Sequence, residues 1–273
     1  MRGLLADRHR PDLASLAREA DPERFVQRVL PHAARSFAAS IALLPREHAR
    51  ATAVAYLYCR MLDTYEDLHP DPARMLTLFA SRFGSEPPVA PPPLDDRLAR
   101  DDRDRVHLLL IRRCALVDDV FATLPEEVRA STAALVRSMA DGMVWSTAAF
   151  ADQGGVLVDE TQLTRYCRNV IGHPAVFVLG LISPEELSES AREDAFLVSE
   201  MIQLANVTRD IEADLARGVG YHPALKPYLG TARLRPQGRA MVSEVRRDLV
   251  ALALRPPAPS RRLFGAPALG RTP

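Results

Sequence analysis

Apolar positions along the chain recur every three to four residues, the spacing of amphipathic helices, and alternating strand patterns are nearly absent. Two helices are predicted most clearly, over residues 46–68 and from about 189 to 216. Pro45 and Pro70 bracket the first of them, and Gly218 follows the second. The pattern therefore predicts an all-α fold.

Further helical segments are predicted over residues 25–44, 73–83, 97–121, 125–150, 166–172 and 236–254. Pro174 should bend or restart the helix that contains Tyr166, because proline removes a backbone donor. Ser183 and the residues after it have helix-capping chemistry. The proline run over 85–93 predicts an exposed loop.

Composition indicates one large globular domain. Of the 273 residues, 47% are hydrophobic, which suits a single helical domain over 1–255. The remaining segment, 256–273, is rich in proline, arginine and glycine, and we expect it to be disordered. Lys+Arg and Asp+Glu both number 35, so nothing in the charge favours nucleic acid as a partner.

The sequence also predicts a cytoplasmic location. The three cysteines show no spacing typical of disulfide or zinc frameworks. The N-terminus is too charged for a signal peptide, and no apolar run reaches the ~18 residues of a membrane span. An apolar substrate could still bring the protein to a membrane surface. The sequence does not predict an oligomeric state.

Two pairs of aspartates are candidates for metal binding. Asp63 and Asp67, and likewise Asp210 and Asp214, are four residues apart, so each pair shares a helix face with Cβ atoms ~5–6 Å apart. Magnesium suits such pairs, because it takes carboxylate and phosphate oxygens. Chance alone gives roughly four or five acidic pairs at this spacing in such a chain, most of them on solvated faces.

The context of both pairs favours the metal hypothesis. Each pair follows a largely apolar stretch, 54–62 or 201–209, so each is expected near the end of a buried helix. Arg60 and Arg209 precede the pairs and could bind phosphate oxygens. Arginine carries limited weight by itself here, because Lys226 is the only lysine and the other 34 basic residues are arginines. Together the features predict an apolar cavity with a polar, metal-binding rim.

Four segments carry a more specific pattern: RSFAASIALLP at 35–45, YLYCRMLDTYED at 56–67, YCRNVIG at 166–172 and QLANVTRD at 203–210. In this order they resemble the motifs of the squalene/phytoene synthase family, whose members join two isoprenyl diphosphates head to head. The second segment has the DTxED form typical of squalene synthases.

The resemblance implies the isoprenoid synthase fold, a single-domain helical bundle around a central apolar cavity. It also implies dependence on Mg²⁺ and a reaction of two farnesyl-type diphosphates. One diphosphate ionises, the double bond of the other attacks, and a cyclopropyl diphosphate forms. Rearrangement and reduction by NADPH would then yield squalene.

The resemblance further implies three sets of site residues. The magnesium ligands are Asp63, Asp67, Asp210 and Asp214. The residues that hold the diphosphate or orient its metal site are Arg35, Arg60, Arg209, Gln203 and Asn206. The residues near the reacting carbons, where a hydroxyl or an aromatic face can stabilise a carbocation, are Ser36, Phe37 and Tyr166.

Three departures from the family pattern keep other functions open. Ala213 stands where the second aspartate motif usually has glutamate, Val219 stands where a basic residue is expected, and His173-Pro174 replaces a small apolar pair. One alternative is a phytoene- or dehydrosqualene-type synthase without NADPH, or an enzyme that ionises one prenyl diphosphate. Another is an inactive homologue that retains the cavity for a lipid or a partner.

Overall fold

The computed structural model describes residues 11–34, 36–84, 89–183 and 185–255. Within these ranges the chain forms twelve α-helices and no β-strand, apart from an isolated parallel bridge between Val156 and Gly220. The predicted all-α fold is confirmed. The predicted disordered tail lies outside the described residues, and the single domain over 1–255 remains a prediction.

The chain divides into two compact units, the first ending at Thr147 and the second beginning at Ala148. The helices that begin in the first unit are α1 (Leu13–Arg18), α2 (Pro22–Ala34), α3 (Ser36–Ile41), α4 (Arg46–Leu68), α5 (Pro72–Ser81), α6 (Asp102–Arg112), α7 (Cys114–Ala122) and α8 (Glu126–Asp152). Short 3-10 turns lie at Arg82–Gly84 and Asp96–Leu98.

The second unit contains the end of α8 and four further helices. They are α9 (Glu160–Cys167), α10 (His173–Ile182), α11 (Glu189–Ala216) and α12 (Pro236–Ala253). A π-helical segment, Arg168–Gly172, joins α9 to α10, and a 3-10 helix, Pro223–Tyr228, precedes α12.

Helix α4 is the core helix of the first unit, and its predicted bounds are confirmed. It begins directly after Pro45 and ends where His69 turns to extended backbone before Pro70, as the residue before a proline prefers. Helices α2, α5, α6 and α7 all pack against it. Side chains such as Leu57 and Leu62 are fully buried, so α4 is fixed along its length by hydrophobic packing.

A buried ion pair joins helices of the first unit. The Arg82 guanidinium, 2% exposed, donates to Asp118 over 2.7 Å, and the Tyr58 hydroxyl of α4 donates to the same carboxylate over 2.8 Å. Arg82 also donates to the carbonyl of Val89 in the proline-rich loop. The side chain of Val89 is exposed, as predicted, but the loop is held at its backbone.

The predicted single helix over 97–121 is wrong, because α6 ends at Arg112 and α7 begins at Cys114. Arg113 between them donates to the carbonyls of Ala17 and Glu19 at the end of α1. These contacts satisfy carbonyls left free at a helix C-terminus, and they depend on tertiary packing that sequence periodicity does not report.

The predicted helix over 25–44 is also divided, into α2 and α3. Helix α2 begins earlier than predicted, at Pro22, because Asp21 caps it by accepting from the backbone N–H of Arg24 over 2.8 Å.

Two sequence signals in the second unit are confirmed. The chain restarts as α10 at His173, next to Pro174, after the π-helical segment. Gly218 ends α11 with a φ of 85°, a left-handed conformation that glycine adopts readily. The capping role suggested for Ser183 needs correction, because Ser183 lies at the C-terminus of α10. Ser188 caps α11 by accepting from Ala191 N over 3.1 Å.

Replacing Arg82 by alanine should destabilise the protein by about 3–5 kcal/mol, because Asp118 would be left as a charge without its buried partner. Arg97→Ala is the matched control: that guanidinium is 90% exposed in its pair with Asp95, and its loss should leave the free energy of unfolding nearly unchanged. Urea unfolding measures both values. Equal losses in the two variants would contradict the structural role given to Arg82.

Candidate functional site

The first aspartate pair lies on α4 and is already in contact with a cation. Asp63 and Asp67 are one helical turn apart on the same face. Arg60 Nη1 lies 3.0 Å from Asp63 Oδ2, and Arg60 Nη2 donates to the Tyr56 hydroxyl over 2.8 Å. The predicted neighbours Arg60, Asp63 and Asp67 therefore form one cluster.

Burial and neighbouring charges shift the pKa values of this cluster. Burial raises the pKa of Asp63 above its usual range and the Asp67 carboxylate raises it further, although Arg60 and Arg103 act in the opposite direction. Burial disfavours the charge on Arg60, but Asp63, Tyr56 and Asp67 outweigh it, so the pKa of Arg60 is raised and it stays cationic. Asp63 and Arg60 thus influence each other's charge, and burial is the largest single cause acting on each of them.

Phe37, from the motif at 35–45, lies next to the same cluster. The Phe37 ring lies 5.9 Å from that of Tyr56, centroid to centroid, and is 43% exposed. Phe37 is therefore beside the phenol that holds Arg60. Arg35 and the side chain of Ser36 lie outside the described residues, so their predicted roles remain predictions.

Helix α6 contributes two residues that sequence reasoning missed. The Arg103 charge acts on Asp63, and His107 is close enough to Arg60 and Arg103 for both to lower its pKa. Burial is the largest cause, and the pKa of His107 falls to about 3, so the imidazole is neutral. No local motif marks these residues, because they approach α4 only through the packing of α6 on it.

The second aspartate pair, on α11, has two different environments. Asp210 is about half exposed and forms a two-point pair with its neighbour Arg209, with Nη2–Oδ2 at 2.6 Å and Nε–Oδ1 at 2.9 Å. The side chain of Asp214 is only 6% exposed and pairs with Arg217. The cation at Asp214 thus comes from Arg217, two residues before Val219.

Glu212 does not replace the carboxylate missing at Ala213. Its side chain pairs with Arg246 of α12 over 3.1 Å, and Arg246 also donates to the carbonyl of Thr208 over 3.2 Å. Glu212 therefore joins α11 to α12. The departure noted at Ala213 is not compensated by its neighbour.

The two predicted amides lie on the same face of α11 as the aspartates, at positions 203, 206, 210 and 214. Asn206 Nδ2 donates to Gln203 Oε1 over 3.1 Å, and Gln203 is buried. The amides are thus oriented by each other, while Asn206 remains within one turn of Asp210.

Tyr166 belongs to an aromatic cluster in the second unit. Its ring lies 5.1 Å from that of Tyr221 and 6.1 Å from that of Phe150, and the two hydroxyls are 3.2 Å apart. Sequence reasoning found Tyr166 but missed Tyr221 and Phe150. The only sequence signal for Tyr221 was its position shortly after the second aspartate pair.

The π-helical segment fits closely against α11. A Cβ added at Gly172 would lie 2.5 Å from Phe196 Cδ1, so only glycine fits without movement. Arg168 lies over the Phe196 ring and pairs with Glu193 and Glu200. Segments of this kind occur often at functional sites.

The residues present fit a magnesium ion that would be bound jointly by the protein and a substrate phosphate. Within the described ranges no three acidic, histidine or cysteine side chains converge into a metal cage. Mg²⁺ is usually held by one or two carboxylates together with substrate phosphates and water. A pair such as Asp63 and Asp67 matches that chemistry, because the phosphate would complete the coordination.

Comparison with known proteins shows the family to which the chain belongs. The model of the squalene/phytoene synthase family matches residues 30–261, and the chain therefore belongs to that family. A solved structure described as the complex of TcSQS with the ligand BPH1237 has the same fold. Its TM-score is 0.67 at 21% sequence identity, and the match covers 85% of this chain and 68% of that one. No curated protein sequence matches the chain.

Across the described part of the chain, no helix has the length and apolar character needed to cross a bilayer.

Gly172→Ala should lower the free energy of unfolding by about 1–3 kcal/mol, since the new methyl group must displace the Phe196 ring. Gly180→Ala, whose Cβ would meet nothing closer than 3.8 Å, should be neutral or stabilising by up to about 1 kcal/mol. Chemical denaturation compares the two. An unchanged free energy of unfolding in Gly172→Ala would show that the Phe196 ring moves aside at little cost.

The neutral state of His107 predicts an acid-sensitive stability. Its pKa is about 3 in the folded protein and about 6.5 in an unfolded chain. Between these values the unfolded state binds the extra proton, so stability is lost as pH falls below about 6.5, by about 1.4 kcal/mol per pH unit. His107→Gln should remove that part of the slope. Unfolding free energies measured from pH 7 to pH 5 test this, and parallel curves for the two proteins would contradict it.

Proposed function

We propose that the protein is a magnesium-dependent prenyltransferase that condenses two farnesyl-type diphosphates head to head, through a cyclopropyl diphosphate, to a squalene-type product. The observation that carries the proposal is the Asp63/Asp67 pair on α4 with Arg60 in contact, in a chain of the squalene/phytoene synthase family. The relative described with a bound ligand supports a small-molecule site in this fold.

The first step would be loss of diphosphate from one substrate. Asp63, Asp67, Asp210 and Asp214 would hold Mg²⁺, which neutralises the diphosphate and makes it a better leaving group. Arg60 would bind a phosphate oxygen, as supported by its contact with Asp63 and by the effect of the Asp67 charge on it. Arg35 and Arg209 would hold further oxygens. The C–O bond breaks, the electron pair leaves with the diphosphate, and an allylic cation remains.

The second step would be attack by the double bond of the other substrate. A proton is lost and the cyclopropyl ring closes. Aromatic faces stabilise cations, and Phe37, Tyr56 and the Tyr166 cluster provide such faces within their respective units. Ser36 would lie beside them. Gln203 and Asn206 would orient the metal site on α11, as their position on the aspartate face supports.

The product depends on the fate of the cyclopropyl intermediate. Reduction by NADPH would give squalene, as the DTxED form of the first aspartate motif suggests. Without a reductant, a phytoene- or dehydrosqualene-type product would form. Incubation with farnesyl diphosphate and Mg²⁺, with and without NADPH, distinguishes these products by mass spectrometry. Peripheral contact with a membrane would suit an apolar product.

Asp63→Asn should abolish diphosphate release from farnesyl diphosphate, lowering the rate by about 10³-fold, because a metal ligand contributes several kcal/mol to the transition state. Asp102→Asn is the control, an exposed acid paired with Arg105 on the surface of α6. It should retain activity. Release of pyrophosphate is the readout, and chelation of Mg²⁺ should abolish it in every protein.

One observation favours a second candidate, an inactive homologue that binds an apolar ligand. Glu212 is committed to Arg246, so the second motif keeps two carboxylates where the family usually has three. Failure of folded wild-type protein to ionise any C10 to C20 prenyl diphosphate would favour this candidate. Ionisation that Asp63→Asn abolishes would exclude it.

A further inference from the structure

Two nitrogens near the first aspartate pair are buried and lack partners. One is Nε of Arg60 on α4, and the other is Nε2 of His107 on α6; neither has a hydrogen-bond partner among the residues that the structure describes. The two helices pack against each other. An unpaired buried polar atom is costly, and such a group in a native fold calls for an explanation.

The two atoms are chemically complementary. Arg60 Nε carries an N–H and can only donate, whereas a neutral imidazole has one nitrogen that accepts. His107 is 6% exposed, and the charge of Arg60 acts on it more strongly than that of any other residue. The other charges that act on His107 are those of Arg103, Asp104 and Arg100. A buried donor and a buried acceptor thus lie in the same region.

The present contacts of Arg60 explain why the two atoms are apart here. Nη1 of Arg60 is directed to Asp63 and Nη2 to the Tyr56 hydroxyl. A metal ion bound by Asp63 would compete with Nη1 for the carboxylate oxygens. The guanidinium of Arg60 can then turn, because the Tyr56 hydroxyl holds only one of its three nitrogens, Nη2.

We propose that His107 is a positioning residue for Arg60, with imidazole Nε2 accepting a hydrogen bond from Arg60 Nε when the guanidinium turns from Asp63 to the diphosphate. His107 and Tyr56 then hold the edge of the guanidinium formed by Nε and Nη2, and Nη1 faces the phosphate. The inference rests on the proposed function, because it requires that Arg60 binds a diphosphate. It also requires that the His107 proton lies on Nδ1.

The test measures binding of inorganic pyrophosphate with Mg²⁺ to the full chain by isothermal titration calorimetry. His107→Leu removes the acceptor and should weaken binding roughly tenfold. His107→Gln, whose amide oxygen can accept, should recover most of that loss. His48→Leu is the control, a histidine with a buried ring nitrogen also without a partner in the described ranges. His48 is twelve residues from Arg60, about 18 Å along α4, so binding should not change.

A second background shows whether His107 acts through Arg60. Arg60→Lys keeps the positive charge but has no Nε–H, so adding His107→Leu to it should change binding by less than about twofold. Equal weakening in both backgrounds would mean that His107 has only a structural effect, and the inference would be overturned. Unchanged binding in His107→Leu alone would overturn it as well.

Nitrogen-15 spectra of histidine-labelled protein give a readout independent of binding strength. With pyrophosphate and Mg²⁺ bound, Nε2 of His107 should be unprotonated and hydrogen-bonded, and a proton on Nε2 would overturn the inference even if the leucine variant fails to fold. If folded wild-type protein binds no pyrophosphate, the proposed function fails and the inference fails with it. Binding that is insensitive to His107 overturns the inference alone.

Discussion

Two carboxylates lie one turn apart on the core helix of the first unit, where nearby cations offset their repulsion. Asp63 and Asp67 would repel each other on any helix. Asp63 is mostly withdrawn from solvent on α4, the core helix of the unit, whereas Asp67 is exposed. Arg60 offsets part of this repulsion through its contact with Asp63. In the proposed function, Mg²⁺ shared between this pair and a diphosphate would add a further cation.

The second aspartate pair, Asp210 and Asp214, has a separate arginine partner for each carboxylate. Asp214 is buried against Arg217, while Asp210 is half exposed and held by its own neighbour Arg209. Glu212, the neighbouring glutamate, pairs with Arg246 instead. The two carboxylates on α11 are therefore unequal, and Asp214 must exchange a close arginine contact if it is to bind metal. A change in product or activity relative to the family would follow most directly from this motif.

The bounds of α4 could be predicted because Pro45 and Pro70 mark its ends, and Gly218 marks the end of α11 equally clearly. Local chemistry decides such ends. The break at Arg113 could not be predicted, since it depends on carbonyls of α1 that are distant in sequence.

The candidate site likewise contains residues that the sequence could predict and residues that it could not. Arg60, Asp63 and Asp67 share one motif on one helix, so helical spacing together with the motif predicted that they lie near one another. Tyr221 and His107 are near their partners only through tertiary packing, and no spacing rule connects them to Tyr166 or Arg60. The sequence thus predicted the candidate residues within the motifs, but not Arg103 or His107, which lie near them through packing of α6 on α4.

The central claim is that the protein binds a prenyl diphosphate through a metal held by aspartates. The most direct measurement is calorimetric binding of farnesyl thiodiphosphate, an analogue that resists ionisation, with Mg²⁺ present and after chelation with EDTA. The account predicts saturable binding with Mg²⁺ that is lost on chelation. Equal binding under both conditions, or none with Mg²⁺ present, would contradict it.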